Sequence, residues 1–334
     1  MKKTLKIFVP LLLLFIVVFY FWASAPNYSE SDYYYTKAFD SEINYSSKDT
    51  LRIMTYNMGY LSGMTNNKAV DRTKDLFDSN LDNLQGLLRD LKVDVCCFQE
   101  IDFHSKRSYF VDQLEEIAEE NEYPYYAKVI NWDKKYIPFP YWPPSQQFGE
   151  VLSGQAIVSE FLVLKNDRIV LAQADNPFYY NAFYLDRLAQ VNLLHLGDKK
   201  LLVINVHLEA WDARAREEQA NQLIGLYNQY KEQYPVLIVG DFNSTPSNAA
   251  DPYMEEETIK KIMSLDGIRS AISDSLYMTN ESAFFTFNSI EPYIKIDFIF
   301  YDENKIEVIK SRVVEEAGEI SDHLPVLADI VILD

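Results

Sequence analysis

The sequence predicts an α/β fold in which two stacked sheets are flanked by helices. Short apolar runs bounded by polar or turn-forming residues recur along the chain, and such runs indicate a large sheet content. Too few helical segments fall between them to build a doubly wound parallel sheet, which needs a helix after almost every strand. The predicted strands cover residues 51–56, 93–98, 155–158, 169–173, 188–194, 201–206, 236–239, 296–301 and 326–332.

Four segments have helical periodicity and are predicted to cover the sheets. They are residues 81–91, 110–121, 213–230 and 255–263. In the third segment a stripe of residues recurs at three-to-four spacing, and Asp212 before it is suited to cap the first turn. We therefore expect one face of this helix to be buried. The stripe contains Arg216, Ala220, Leu223 and Tyr227.

Residues 1–25 form a segment that is expected to meet lipid. Three lysines among the first six residues precede an uncharged apolar stretch at 7–23, whose length lies between that of a signal peptide and that of a membrane span. The tripeptide at 23–25 resembles a signal-peptidase site, but cleavage there would leave Pro26 first. We therefore favour an uncleaved signal anchor over a cleaved signal peptide. The positive-inside rule then places the rest of the chain outside the cytoplasm, in the periplasm, at the cell surface or, after cleavage, in the medium.

The remaining chain is expected to contain a linker and one large domain. Residues 26–49 are polar, rich in serine and tyrosine, and without sustained periodicity, which is typical of a linker that packs at most in part. Residues 50–334 have the length of one large domain. Cys96 and Cys97 are adjacent in an apolar run, so we expect small core residues and no disulfide between them.

The charge of the chain disfavours a nucleic-acid partner. The formal net charge is −19, and without the lysines at the N-terminus the net charge of the remaining chain is more negative still. Nucleic-acid binding normally uses a basic surface that displaces condensed counterions. A long phosphate polymer would therefore be repelled, unless a local basic groove receives it.

The strongest local signal for chemistry follows the apolar run at 236–239. Asp241 and Asn243 come directly after this predicted strand, and the two-residue alternation of extended chain directs both side chains to the same side. A carboxylate and an amide at one point can hold a water molecule and a phosphoryl oxygen. An ordinary Asp/Asn turn after a strand is the alternative interpretation.

Other predicted strands also end in polar side chains. Carboxylate and amide oxygens are the ligands that magnesium prefers, so these ends predict a magnesium site at one edge of the sheets. His104 and His195 are interpreted as structural residues, since a lone histidine is more often structural than catalytic. The strand ends carry Asn57, Glu100, His207, Asp322 and His323.

The ordered set of these motifs resembles the endonuclease/exonuclease/phosphatase superfamily over about residues 51–329. The resemblance implies an α/β fold that is a four-layer α/β sandwich, with two packed, mostly antiparallel sheets flanked by helices. It also implies a metal-dependent phosphoric ester hydrolase. The set is Asn57, Glu100, His207, Asp241-Phe242-Asn243, Asp297 within 295–299, and Ser321-Asp322-His323.

The resemblance also implies a role for each residue. Glu100 with Asn57 would hold Mg²⁺, with Mn²⁺ as the alternative, and Asp322 would complete the acidic floor. Asp241 would orient or deprotonate the attacking water. The remaining residues would stabilise the phosphate or transfer a proton: Asn243 and His207 by hydrogen bonds to the phosphate, and His323 as a second such group oriented by Asp297.

The substrate is expected to be a phospholipid headgroup or a small phosphodiester. The acidic, tethered domain favours such an ester. The proline-stiffened aromatic loop at 136–144 suits the headgroup interface or a quaternary ammonium group, although packing of its own rings is an equal alternative. The stretch 207–210, followed by Arg214, Arg216 and Gln219, looks like the corresponding stretch of neutral sphingomyelinases.

Two alternatives to this function stay open. An extracytoplasmic nuclease could stack bases on the same aromatic rings. A catalytically inactive binding module is the alternative of another class. Two basic sites were left outside the catalytic set: the pair Lys106-Arg107, as a phosphate contact or a solvated turn, and Arg187, as a partner of Asp186.

Overall fold

A computed structural model describes residues 2–38, 48–250, 252 and 256–333. The strands in these residues are β1 Tyr34–Ala38, β2 Leu51–Asn57, β3 Val95–Asp102, β4 Tyr125–Ile137, β5 Gly149–Ser159, β6 Leu162–Val170, β7 Leu188–Leu196, β8 Lys199–His207, β9 Val236–Asp241, β10 Ile268–Ser270, β11 Asp297–Asp302, β12 Ile306–Val313 and β13 Val326–Ile332. The helices are α1 Lys2–Ser24, α2 Lys74–Leu91, α3 Gln113–Glu120, α4 Phe178–Asn181, α5 Ala213–Tyr230, α6 Thr258–Met263 and α7 Asp274–Tyr277.

The strands form two mixed sheets that pack face to face. The seven-stranded sheet has the order β1-β4-β5-β3-β2-β13-β12, and the six-stranded sheet has the order β10-β11-β9-β8-β7-β6. Neighbouring strands are antiparallel except for the parallel pairs β2–β3 and β8–β9. Apolar residues of α2 and α3 pack with the first sheet, and those of α5 and α6 pack with the second. The predicted sandwich of two mostly antiparallel sheets flanked by helices is confirmed.

The helix α5 shows how sequence periodicity becomes packing. The Asp212 side chain accepts a hydrogen bond from the backbone N–H of Ala215, at 3.0 Å, and so caps the first turn as predicted. The predicted stripe is buried, and its apolar members pack in the core cluster of the second sheet. Burial of this face stabilises the helix more than the propensities of its residues do.

A buried polar layer joins the two sheets directly below the candidate site. Asn205 of β8 donates from its amide nitrogen to the backbone oxygens of Phe98 and Ala156, at 3.1 and 3.2 Å. Gln99 of β3 donates back to the side-chain oxygen of Asn205 at 2.6 Å. Glu100 follows Gln99, and His207 lies two residues after Asn205 on the same strand. These hydrogen bonds therefore set the distance between two strand ends that belong to different sheets.

Four strands were not predicted from the sequence, and one of them, β10, has only three residues. The long strand β4 extends into the segment that was predicted as an aromatic loop, and the edge strands β1 and β12 lack apolar runs. Strand β1 lies within the predicted linker and pairs with β4, so this part of the segment packs on the domain. Cys96 and Cys97 are free and buried, as expected.

Most apolar residues of the first helix stay exposed. The stretch Lys6–Ser24 has a mean hydropathy of 2.5, and by length and composition it can cross a membrane, either as an anchor or as a signal sequence. Residue 255, where the fourth predicted helix starts, lies outside the described residues, and α6 begins at Thr258.

Candidate active site

Polar strand ends from both sheets converge at one edge of the sandwich. In the second sheet, Asp241 of β9 is in register with His207 of β8 on one side and with Asp297 of β11 on the other. In the first sheet, Asn57 ends β2 in register with Gln99 of β3. The side chain of Asn57 crosses the gap between the sheets and donates to Asp241 Oδ2 at 2.9 Å.

Asp241 lies at the centre of this cluster. Its Oδ1 accepts a hydrogen bond from the backbone N–H of Asn243 at 2.8 Å. Its Oδ2 lies 3.5 Å from His207 Nε2 and 3.8 Å from His323 Nε2. Burial, together with the negative charge of Asp297, raises the pKa of Asp241 to about 7. A carboxyl with this pKa can take up or release a proton near neutral pH.

His323 is held by a carboxylate on a neighbouring element. Its Nδ1 lies 3.0 Å from Asp297 Oδ2, which is a hydrogen bond between two buried groups. Burial lowers the pKa of His323, but the negative charges of Asp297 and Asp241 outweigh that effect and raise it to about 10. This histidine therefore carries a positive charge at neutral pH, and the charge faces the centre of the cluster.

His207, in contrast, is neutral. Burial, with the positive charges of Arg187 and His323 nearby, holds the pKa of His207 well below its usual value. Its Nε2 lies 3.9 Å from Glu100 Oε1, and its Nδ1 has no hydrogen-bond partner within the described part of the chain. A neutral imidazole offers one N–H donor and one acceptor to whatever binds beside it.

Glu100 and Asp322 form an acidic pair. The amide nitrogen of Asn66 lies 2.9 Å from Glu100 Oε2 and 3.4 Å from both carboxylate oxygens of Asp322. Burial, together with the charge of Asp322, raises the pKa of Glu100. Both carboxylates converge on one donor, and this unneutralised pair of hard oxygen ligands fits a divalent cation such as magnesium.

The backbone is strained where the acidic pair is presented. Glu100 has a φ of 51° and lies at a register shift between β3 and β5, which directs its side chain out of the regular alternation. Gly59 has a φ of 49°, and a Cβ atom there would lie 2.9 Å from Asp322 Oδ1. The first sheet therefore needs a glycine at this position to bring Asp322 close.

A second arrangement of ligands lies beside the acidic pair. Asp241, Asp297 and His323 each offer one ligand atom, and these atoms lie within 4.8 Å of one another. Two of the three are engaged with each other through the hydrogen bond between His323 and Asp297. The cluster therefore contains two candidate positions for a divalent cation, this one and the Glu100–Asp322 pair.

The two predicted amide side chains are both partly engaged with protein atoms. The Asn57 side-chain oxygen accepts a hydrogen bond from Gly59 N at 3.1 Å, while its nitrogen holds Asp241. Asn243 has a φ of 47°, and its side-chain nitrogen donates to the backbone oxygen of Leu208 at 3.1 Å. The structure thus brings together all of the site residues predicted from the sequence, while their individual roles stay predictions.

Arg187 is the main residue that sequence reasoning missed. It is buried and pairs with Glu209, with 3.3 Å between Nε and Oε2, while its Nη2 donates to the hydroxyl oxygen of Tyr184 at 2.9 Å. The expected pairing with Asp186 is wrong, because Asp186 binds Arg168 instead. The Nη1 of Arg187 is buried and has no partner among the described residues. Its positive charge acts on both His207 and Asp241.

The residues after His207 are held by α5. Arg216 donates to the backbone oxygen of Glu209 at 2.6 Å, and the side chain of Gln219 accepts from the backbone N–H of Glu209 at 2.8 Å. Arg216 and Gln219 of the sphingomyelinase-like stretch therefore fix the loop that carries Glu209. Arg214 is exposed.

Arg107 is not part of a solvated turn, because its guanidinium is buried against the protein. Its guanidinium binds Asp102 through two hydrogen bonds of 2.8 and 3.0 Å, and it stacks on the ring of Tyr60 with 3.4 Å between Cζ and the ring centroid. This side chain stabilises the wall beside Glu100. The remaining histidines lie outside the site: His104 contacts Phe110, and His195 lies at the far end of β7.

Comparison with known proteins identifies the family. The chain belongs to the Endonuclease/Exonuclease/phosphatase family, whose model matches residues 54–323. Members of this family are hydrolases that act on phosphate esters and generally depend on divalent metals. No curated protein matches the chain in sequence.

Solved structures show the same fold at low sequence identity. An endonuclease/exonuclease/phosphatase from Beutenbergia cavernae DSM 12333 is similar with a TM-score of 0.62 and 17% identity, over 85% of this chain and 72% of that chain. The human Nocturnin catalytic domain with bound sulfate has a TM-score of 0.57 and 16% identity, over 92% and 99%. A mannosyl-6-phosphatase from Bacteroides thetaiotaomicron VPI-5482 has 0.56 and 15%, over 84% and 99%.

Proposed function

We propose that this protein is a magnesium-dependent phosphodiesterase or phosphatase that is attached to a membrane and faces away from the cytoplasm. The observation that carries the proposal is the cluster around Asp241, where a carboxylate with a pKa of about 7 lies between a cationic and a neutral histidine. An acidic pair able to hold a cation completes this cluster. Acid–base catalysis on a charged ester requires these groups within a few ångströms.

The acidic pair is the proposed place for the metal. Glu100 and Asp322 would hold Mg²⁺ or Mn²⁺, and the remaining lone pair of the Asn57 side-chain oxygen would assist. We prefer this position to the Asp241–Asp297–His323 arrangement, because there the imidazole is already bonded to a carboxylate and hard cations favour oxygen ligands. When bound, the cation neutralises negative charge on the phosphoryl oxygens and orients the ester.

The residues of the chain would supply the proton transfers. Asp241 accepts a proton from a water molecule, and that water forms the new bond to phosphorus as the bond to the leaving oxygen breaks in line with it. Asn57 and the backbone N–H of Asn243 hold the carboxylate in position for this step. His323, kept protonated by Asp297, donates a hydrogen bond or a proton to the departing ester.

Fixed donors would stabilise the charge that builds on the phosphate. His207 and Asn243 both lie beside Asp241, and the imidazole and the side-chain amide would donate hydrogen bonds to the phosphate. Arg187 adds a permanent positive charge behind them, and its buried Nη1 has no partner among the described residues. Preorganised donors of this kind are usually the largest contribution to catalysis in reactions that develop negative charge.

A phospholipid headgroup or another small phosphodiester is the proposed substrate. The net charge of −19 opposes a nucleic-acid polymer, and the sequence places an apolar helix next to the domain. The phosphatase from Bacteroides thetaiotaomicron acts, by its name, on a small phosphate ester, which supports this class of substrate. An extracytoplasmic nuclease is the second candidate, and its binding should weaken steeply with salt. An inactive binding module is disfavoured because Glu100, Asp241 and His323 are all present.

The test uses the full chain in detergent with magnesium and a panel of esters. The panel contains DNA, RNA, sphingomyelin, phosphatidylinositol phosphates and an aryl phosphodiester. We expect turnover of at least one ester, abolished by a chelator and lowered about 10³-fold by Asp241→Asn, because the general base is lost. Asp90→Asn on the exposed face of α2 is the matched control and should keep full activity. Turnover that survives both the chelator and Asp241→Asn would refute the mechanism.

A further inference from the structure

Large aromatic side chains lie on two segments that contact the end of α1, and several of them remain exposed to water. We name this surface the aromatic collar. Its most exposed members are Tyr141, Trp142 and Phe178, at 72%, 77% and 76% exposure. Packing of the loop on itself involves the ring of Phe139, which contacts Phe148 at 5.5 Å and Tyr141 at 6.0 Å, yet it leaves Tyr141 exposed. The collar consists of Tyr136, Phe139, Tyr141, Trp142, Phe178 and Tyr179.

The last turns of α1 pack directly on the collar and the residues beside it. Tyr136 contacts Phe19 and Trp22, with 5.9 and 6.2 Å between ring centroids. On the other side of the helix, Tyr20 contacts Phe178 at 6.3 Å and Phe183 at 5.6 Å. The helix therefore leaves the domain between two aromatic segments.

The chain that follows the helix is also fixed to the domain. Asp133 of β4 accepts hydrogen bonds from the backbone N–H groups of Asn27 and Tyr28, at 2.9 and 2.8 Å. The backbone N–H of Lys135 donates to the carbonyl oxygen of Ala25 at 3.0 Å. These bonds leave no flexible joint between α1 and the sheet, so the direction of the helix sets the orientation of the domain.

The collar continues to the edge of the candidate active site. Tyr180, the next residue after the collar segment 178–179, packs on Tyr184 with 5.2 Å between ring centroids. The hydroxyl group of Tyr184 is bonded to both Arg187 and Glu209. Trp211 is exposed beside them, and its backbone N–H donates to Glu209 at 3.1 Å. A chain of contacts therefore links the exit of the helix to Arg187 and Glu209 beside the site.

We propose that the aromatic collar docks on the bilayer that holds α1, and that the site acts on headgroup phosphoesters of that same leaflet. The inference rests on the proposed membrane attachment. With α1 across a bilayer, the residues that touch its last turn lie at the headgroup level, where tryptophan and tyrosine are favoured. A contiguous apolar surface of this kind is otherwise costly to leave in water. The acidic domain gains nothing from anionic lipid, so the apolar rings provide the attraction.

The experiment reads the depth of the collar in a bilayer without using activity. The full chain is placed in vesicles of phosphatidylcholine and sphingomyelin, with a single environment-sensitive fluorophore on Trp142→Cys. The native thiols are buried and stay unlabelled. Ile309→Cys is the matched control, because Ile309 is an exposed apolar residue on β12, at the opposite edge of the sheet from β1 and β4.

We expect acyl-chain quenchers to reduce the emission at position 142 at least about threefold more than at position 309, because the interface lies within reach of quenchers in the lipid. Equal, water-like emission at both positions would overturn the proposal. This readout stays valid if no ester is hydrolysed, so failure of the docking surface and failure of the proposed function are distinguished.

A second measurement links the collar to substrate. The double variant Trp142→Ser/Phe178→Ser should hydrolyse vesicle phospholipid about 10-fold more slowly than the parent, and it should hydrolyse a soluble aryl phosphodiester at the parent rate. Ile309→Ser is the control for loss of a surface apolar group and should change neither rate. An equal loss on both substrates would contradict a role of the collar at the bilayer.

Discussion

At the scale of single residues, the two histidines of the site differ in charge because their neighbours differ. His323 is hydrogen-bonded to Asp297 and is cationic, whereas burial and the positive charges of Arg187 and His323 lower the pKa of His207 and keep it neutral. One site therefore holds both a proton donor and a neutral hydrogen-bonding group at the same pH. The residue type is the same, and the balance between burial and the surrounding charges decides its chemistry.

The hydrogen bond that His323 donates to Asp297 can be tested directly. In Asp297→Asn the negative charge is lost, so His323 is no longer held in its protonated form, and we expect kcat/KM on the responsive ester to fall about 10²-fold. Asp302→Asn is a matched control, because Asp302 is buried at the opposite end of the same strand, β11. Thermal melting of both variants separates folding from catalysis. Wild-type activity in Asp297→Asn would mean that His323 does not act through this carboxylate.

Site residues that directly follow a predicted strand could be identified from the sequence. Site residues whose partners are distant in the sequence could not. Asp241 and Asn243 follow an apolar run, so their location at a strand end is a local property of the chain. Arg187 was assigned to its sequence neighbour, but its partner Glu209 lies on another element that follows His207. A pairing of this kind depends on the packing of β7 against β8, which no local pattern describes.

At the scale of elements, three of the four strands that escaped prediction are edge strands: β1 and β12 in the first sheet and β10 in the second. Strand β1 is mostly exposed and β12 alternates irregularly, so neither has the apolar run by which a strand is recognised. Strand β4 was missed because Lys134, Lys135 and a following proline resemble the start of a loop. The central strands are buried on both faces and were all identified.

An ion pair between β2 and β13 makes the stability of this sheet sensitive to acid. Arg52 binds Asp329 through two hydrogen bonds of 2.7 and 3.0 Å, which lowers the pKa of Asp329. A carboxyl whose folded pKa lies below its unfolded value of about 3.9 contributes stability that is complete above that value. The contribution is lost as the pH falls through the folded pKa.

We therefore expect Arg52→Gln to lower the free energy of unfolding by about 1 kcal/mol near neutral pH, and by less in acid. Denaturant unfolding of the parent and the variant at several pH values measures the difference. Lys310→Gln is the control, since exposed Lys310 lies 3.6 Å from the same carboxylate and should have a smaller effect. A difference that does not change with pH would contradict the assignment.

At the scale of the whole molecule, the site exists only because two sheets are held at a fixed separation. Glu100 and Asp322 come with the first sheet, and His207, Asp241 and Asp297 come with the second. The sequence predicted that these groups meet, through the resemblance of the whole ordered set. It did not predict the polar layer around Asn205, because a buried asparagine in an apolar strand has no distinctive pattern.

The polar layer should be essential for stability. Asn205→Leu preserves the approximate shape of the side chain but leaves the backbone oxygens of Phe98 and Ala156 without their donor, so we expect a loss of about 3 kcal/mol in the free energy of unfolding. Chemical denaturation measures it, with Asn221→Ala on the exposed face of α5 as the control. An unchanged midpoint in Asn205→Leu would show that the layer contributes little.

The attachment of Asn27 and Tyr28 to Asp133 determines how far the domain can travel from the helix. If residues 26–49 were a flexible linker, the average distance between its two ends would be roughly 27 Å. The hydrogen bonds to Asp133 remove this freedom, so the candidate site stays at one distance from the end of the helix and in one orientation. With the helix in a bilayer, encounters with the ester occur by lateral diffusion in two dimensions. The speed of such an enzyme follows the mole fraction of ester in the leaflet, and adding more vesicles of the same composition leaves it unchanged.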